Sequence, residues 1–156
     1  MFYSGGVEPF SVYYPLQGGS FCMQTQDHGK VKEYTGGFRG GLTDDRFGQA
    51  IRENLFGSSS YDLCFLRGLH DLTRIENLEN PSGLRILLLC DSYSTPLACF
   101  LAQNVGRLDM VYNLGAQREN ALNMIQENQY DYVLACLYPV NLAVENCRLF
   151  EDLEYA

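Results

Sequence analysis

From residue 84 onward the apolar positions follow two alternating patterns, one suited to strands and one to helices. In "RILLLC" (85–90) they run without a break, as in a strand buried on both faces. Thr95 and Pro96 follow as N-cap and first helical residue, where proline's fixed φ and missing N–H do no harm. Leu97, Phe100, Leu101 and Val105 form the expected inward face of that helix, and Gly106 its stop. "LDMVYNL" (108–114) predicts a second strand. "AQRENALNMIQEN" (116–128) predicts a helix with Ala121, Leu122 and Ile125 inward, and "YDYVLACLYP" (130–139) a third strand. Strand, helix, strand, helix, strand with short connections predicts an α/β unit with a parallel sheet.

Upstream the pattern is β-rich. "FSVYYPL" and "SFCMQTQ" read as short strands separated by "QGG", "DHGK" as a turn and "VKEYTGGF" as another strand. "GGFRGGL" is flexible or tightly turned. Thr43 is then the expected N-cap of a helix that turns Phe47, Ala50, Ile51 and Leu55 inward and ends at Gly57. "YDLCFLRG" (61–68) reads as a strand, and "TRIENLENPSG" as a short strand running into a loop. The expected organisation is a single α/β domain over 1–156, with a β-rich extension at 1–42 and a parallel βαβαβ core at 84–156.

Composition narrows the function classes. The net charge is −8, and the only lysines are Lys30 and Lys32, so no basic patch offers itself to nucleic acid or an anionic membrane surface. No apolar run approaches the roughly 20 residues of a spanning helix. "MFYSGGVEPF" has neither a basic nor an apolar signal region, so the chain as written is expected in the cytoplasm. The six cysteines form no CxxC and no pairing with histidine, which argues for free thiols rather than a metal site. No Gly-rich phosphate loop is present, and no cofactor is implied.

The chemistry is expected at the carboxyl ends of the parallel strands, where "CDSYST", "YNLGAQ" and "YPVNLA" converge. Ser92 falls between the first strand and its helix, among turn and helix-start N–H groups that could hold an oxyanion. Helix capping by Asp91, Ser92, Ser94 or Thr95 accounts for the same residues. Asn113 and Gly115 end the second strand and Asn141 the third, as further donors or as turn and cap residues. Tyr93, Tyr112 and Tyr138 lie near the strand ends and could stack on sugars or serve as rim aromatics.

A serine on a strand-to-helix turn, then N-x-G, then a late Asn is similar to the SGNH hydrolase pattern. More closely, residues from "YDLCFLRGLHDLT" through "DSYSTPLACFLAQ" and "VYNLG" to "YDYVLACLYPVNL" resemble the C-terminal half of the DHHW-type proteins. These are relatives of the alginate O-acetyltransferase accessory subunits. The resemblance implies a three-layer SGNH/flavodoxin-like fold acting on acyl esters or a bacterial surface polysaccharide. It implies Ser92 as nucleophile, Gly115 and Asn141 as oxyanion donors, and substrate contacts from Asp91, Tyr93 and Asn113. On the resemblance, a fragment of a longer protein of the cell envelope is an expectation beside that of a natural short form.

The base is the departure. A serine nucleophile needs a histidine, itself oriented by a carboxylate. No histidine follows Ser92; His28 and His70 precede it. Asp27-His28 reads as a hairpin turn and His70, beside Asp71, as a connecting-loop residue; a surface or loop-packing role accounts for either, and His70 is the one carried as a candidate base. Weak or absent hydrolysis is therefore expected, and a non-catalytic glycan- or protein-binding module is the alternative.

Overall fold

A computed structural model describes residue 15, residues 18–53 and residues 61–138. The expected strand in "FSVYYPL", Leu55, Gly57, Asn141 and Cys147 lie outside the described residues. The elements are β1 (Phe21–Asp27), β2 (Lys30–Gly37), the single turn α1 (Phe38–Gly41), β3 (Leu42–Thr43), α2 (Asp45–Glu53), a 3-10 turn (Tyr61–Cys64), β4 (Leu72–Asn77), β5 (Arg85–Cys90), α3 (Ser94–Leu101), β6 (Arg107–Tyr112), α4 (Leu114–Glu127) and β7 (Tyr132–Cys136).

The protein is a mixed α/β structure. Its six-stranded sheet has the order β2-β1-β4-β6-β5-β7. β5 pairs in parallel with both β6 and β7, while β2, β1, β4 and β6 pair antiparallel in turn. Leu87, Leu88 and Leu89 of β5 are all buried, as the unbroken apolar run requires of a strand covered on both faces. One face packs Phe21, Met23, Ile75, Ile86, Leu88 and Leu108 against α2 and α3. The other packs Leu87, Leu89 and Val111 against Leu114 and Ala121 of α4. β1 shows the period of a half-buried strand, with Phe21, Met23 and Thr25 inward and Cys22 and Gln24 less buried.

Four local expectations are corrected. Residues 61–64 form a 3-10 turn, not a strand; Phe65 makes only an isolated bridge with Thr43. Asp44, not Thr43, caps α2: its Oδ1 accepts the Arg46 N–H at 2.9 Å, while Thr43 Oγ1 donates to the Phe38 carbonyl. α3 begins at Ser94, with Ser94 N–H on the Asp91 carbonyl at 3.1 Å, so Thr95 lies inside the helix. Leu97 is 48% exposed; α3 buries Ala98, Cys99 and Thr95 instead, small side chains that let the helix sit close to the sheet.

Candidate functional site

β5, β6 and β7 run parallel, so Ser92, Asn113 and Tyr138 leave the sheet at one edge. The antiparallel strands reach the same edge in the opposite sense. Leu72 pairs with Val111 of β6 and with Gln26 of β1, which places the end of β1 and the loop before β4 beside the end of β6. Asp71 carries the link further, its carbonyl accepting the Tyr112 N–H at 3.1 Å.

Two residues far apart in sequence meet there. His70 Nδ1 lies 2.7 Å from Asp27 Oδ2, and Asp27 Oδ1 accepts the Asp71 N–H at 3.1 Å. His70 Nε2 faces the Leu66 carbonyl oxygen at 3.1 Å. Burial pushes the Asp27 carboxyl up, but the hydrogen bonds from His70 and Asp71, with the charges of His70 and His28, outweigh it and hold it below the usual carboxylate value. Leu66 and Arg67 both have positive φ, 52° and 61°, and Arg67 is fixed by a hydrogen bond to the Gly40 carbonyl and by its place over the Tyr34 ring. The loop that offers the Leu66 carbonyl to His70 is thus tied down on its own side.

His70 lines a small cavity of about 10 Å³, room for about one water, together with Thr73, Cys90, Thr95 and Tyr112. Cys90 and Thr95 flank Ser92 in sequence. Cys90 is no rival nucleophile: burial, with Asp91 and Cys136 nearby, pushes its thiol up to about 12, and its Sγ donates to the Val111 carbonyl.

The turn around Ser92 is built on Asp91. The buried Asp91 carboxylate accepts the Tyr93 N–H at 3.1 Å and the Tyr138 N–H, joining the end of β5 to the exit of β7. Ser94 Oγ adds a second tie, 2.9 Å to the Cys136 carbonyl. The Tyr93 and Ser94 N–H groups are therefore occupied, where the sequence reading expects free N–H groups in the turn and helix start. The Ser92 side chain is half-buried and, among the described residues, makes no hydrogen bond; its carbonyl accepts from Thr95 Oγ1. Asn113 is exposed in the left-handed region (φ 56°), and its carbonyl takes the Ala116 and Gln117 N–H groups. Gly115 is exposed in the first turn of α4, where backbone N–H groups lack partners within the helix.

The solved structures report on the fold of this frame. Bacillus cereus PatB1 with a sulfonyl adduct matches at a TM-score of 0.53 and 18% identity, over 80% of this chain and 38% of that one. A second PatB1 structure matches at 0.50 and 19%, over 82% and 36%. A DHHW family protein from Eubacterium siraeum gives 0.46 and 13%, over 85% and 39%. The chain has a PatB1-like fold. It spans under two fifths of the PatB1 chain. No family model matches the chain, and no curated protein matches it.

Within that fold Ser92, Asp91, Tyr93, Asn113, Gly115 and His70 gather at one sheet edge, and Asn141 lies outside the described residues. Sequence reasoning missed Asp27 as the partner of His70. The signal available was the β1–β4 pairing: two polar, alternating strands whose ends both carry Asp-His or His-Asp. Among the described residues no group of three or more metal-ligating side chains occurs, and no helix is long and apolar enough to cross a membrane.

Proposed function

We propose that the chain is an SGNH-like acyl-ester module, acting in hydrolysis of an acetyl ester or O-acetyl transfer on a surface polysaccharide, and slow by itself. The reading is carried by one juxtaposition: a half-buried serine on the β5–α3 turn, and the His70 of an Asp–His pair lining a cavity with Cys90 and Thr95, two residues before that serine and three after it. Ser92 Oγ attacks the ester carbonyl, and its proton passes to His70 Nε2. Asp27 holds the ring by Nδ1 and offsets the charge it gains. The alcohol leaves with that proton, giving an acyl-serine that water or an acceptor hydroxyl then cleaves. The Ser92 and Gly115 N–H groups and the Asn141 amide are the donors for the oxyanion. Asp91 serves as the strut of the turn.

Slowness follows from His70 Nε2, which rests on the Leu66 carbonyl and has to leave it before it can serve as base. The same occupied nitrogen favours the second reading, a binding module in which the Asp27–His70 pair is a structural tie. Hydrolysis of p-nitrophenyl acetate separates them. The acyl-ester reading expects turnover above buffer that Ser92→Ala abolishes and His70→Ala lowers by at least about tenfold. A rate unchanged by Ser92→Ala would sink it.

A further inference from the structure

Tyr93 follows Ser92 directly and is 64% exposed, and Tyr138 at the exit of β7 is 39% exposed. Their rings stack, with centroids 4.9 Å apart and planes within 15° of parallel. Leaving two large aromatic faces in water is unfavourable, so a fixed, exposed pair marks a contact surface more than a packing one. The pair is also held from beneath. Asp91 takes both backbone N–H groups, and Ser94 Oγ grips Cys136 two residues before Tyr138. The rings therefore keep their place beside Ser92 without relying on their own contact.

We propose that Tyr93 and Tyr138 form a stacking platform for a pyranose ring, which sets a sugar's hydroxyl or ester against Ser92. The inference rests on the acyl-ester reading for what happens at Ser92, but not for binding. A pyranose presents a flat face of C–H groups to an aromatic ring and a rim of hydroxyls to the phenol oxygens, so both parts of the tyrosines are used. The stacked rings cover one face of each other, so the sugar lies on the outer face of the more exposed Tyr93, with Tyr138 backing that ring. A chain with a net charge of −8 selects against anionic rings such as nucleotides and leaves neutral sugars favoured.

The test is saturation-transfer NMR with cellotriose on the full chain carrying Ser92→Ala, which removes turnover. Saturation is expected on the ring C–H protons. Tyr93→Ala should weaken binding by about tenfold, and Tyr93→Phe, which keeps the face, by no more than about threefold. Tyr93 is exposed, so both variants are expected to keep the wild-type circular dichroism. No transfer at about 10 mM cellotriose would overturn the proposal, since that is weaker than such contacts give. Equal binding by wild type and Tyr93→Ala would overturn it too, as would binding of p-cresol without cellotriose, which would assign the platform to aryl groups. Sugar binding alongside a p-nitrophenyl acetate rate indifferent to Ser92→Ala would leave the platform standing and remove only the catalytic reading.

Discussion

Asp109 lies in the middle of β6 with its side chain 1% exposed, and it is matched from three directions. Arg74 Nε approaches Oδ1 at 2.8 Å, Arg107 Nη2 reaches Oδ2 at 2.6 Å, and Tyr130 donates its hydroxyl to Oδ2 at 2.6 Å. Burial, followed by the hydrogen bond to Asp109, raises the Tyr130 phenol, so it stays a donor. Asp109→Asn keeps the shape but removes the charge that two arginines face. A loss of about 3 kcal/mol in urea unfolding is expected, the lower end for breaking a buried ion pair, because Arg74 is still part-exposed. A loss under about 0.5 kcal/mol would mean that solvent already carries those arginines. Little of this was legible in the sequence, where Asp109 is one polar position in an apolar run. Arg107 stands two residues earlier on the same strand, but Arg74 comes from β4 and Tyr130 from the loop before β7, and strand register brings Arg74 to it. The Asp27–His70 pair was hidden for the same reason.

At the scale of elements, β5 was legible because a strand covered on both faces leaves an unbroken apolar run; β7 carries a similar run although Tyr132, Val133 and Leu134 are exposed. The helix boundaries were less so. Residues 61–64 carry strand-like apolar residues, yet Cys64 and Leu66 are buried by backbone bonds to the β3 region, Asp44 N–H to the Cys64 carbonyl and Leu66 N–H to that of Leu42. Asp27 makes an element-scale prediction, since it ties the β1–β2 hairpin to the start of β4. Its carboxyl is held below the usual value in the fold, so the stability it contributes is present above the unfolded carboxylate pKa of about 3.9 and is lost as pH falls through the lower folded value. Wild type should therefore exceed Asp27→Asn in stability at pH 6, and the gap should close below about pH 4. Denaturant melts across that range read it directly; a gap constant down to pH 2.5, or one that widened, would contradict the tie.

For the whole molecule, the sheet is covered unequally, and that decides where a mutation is felt. β5 and β6 have packed side chains on both faces, whereas β1 has its core on one face only and turns Gln24 and Gln26 outward. The β2-β1-β4 half consequently depends on what α1, α2 and the 61–64 turn place against it. Phe47 of α2 is central there: fully buried, edge-on to Phe38 at 5.6 Å and to Phe65 at 5.3 Å between ring centroids. Truncating it removes a ring and leaves a cavity between elements that have no second layer to collapse from. Phe47→Ala should cost about 3–5 kcal/mol in urea unfolding. Leu97→Ala, at a position that helical spacing assigned to the core but that the fold leaves exposed, should cost under about 0.5 kcal/mol. The site at the carboxyl edge takes its serine from the doubly covered half and its Asp–His pair from the singly covered one. Phe47→Ala should therefore loosen the half carrying Asp27 and His70 first. Amide hydrogen exchange should show protection lost in β1 and β4 before β5; equal loss across all strands would show that the two halves open as one unit.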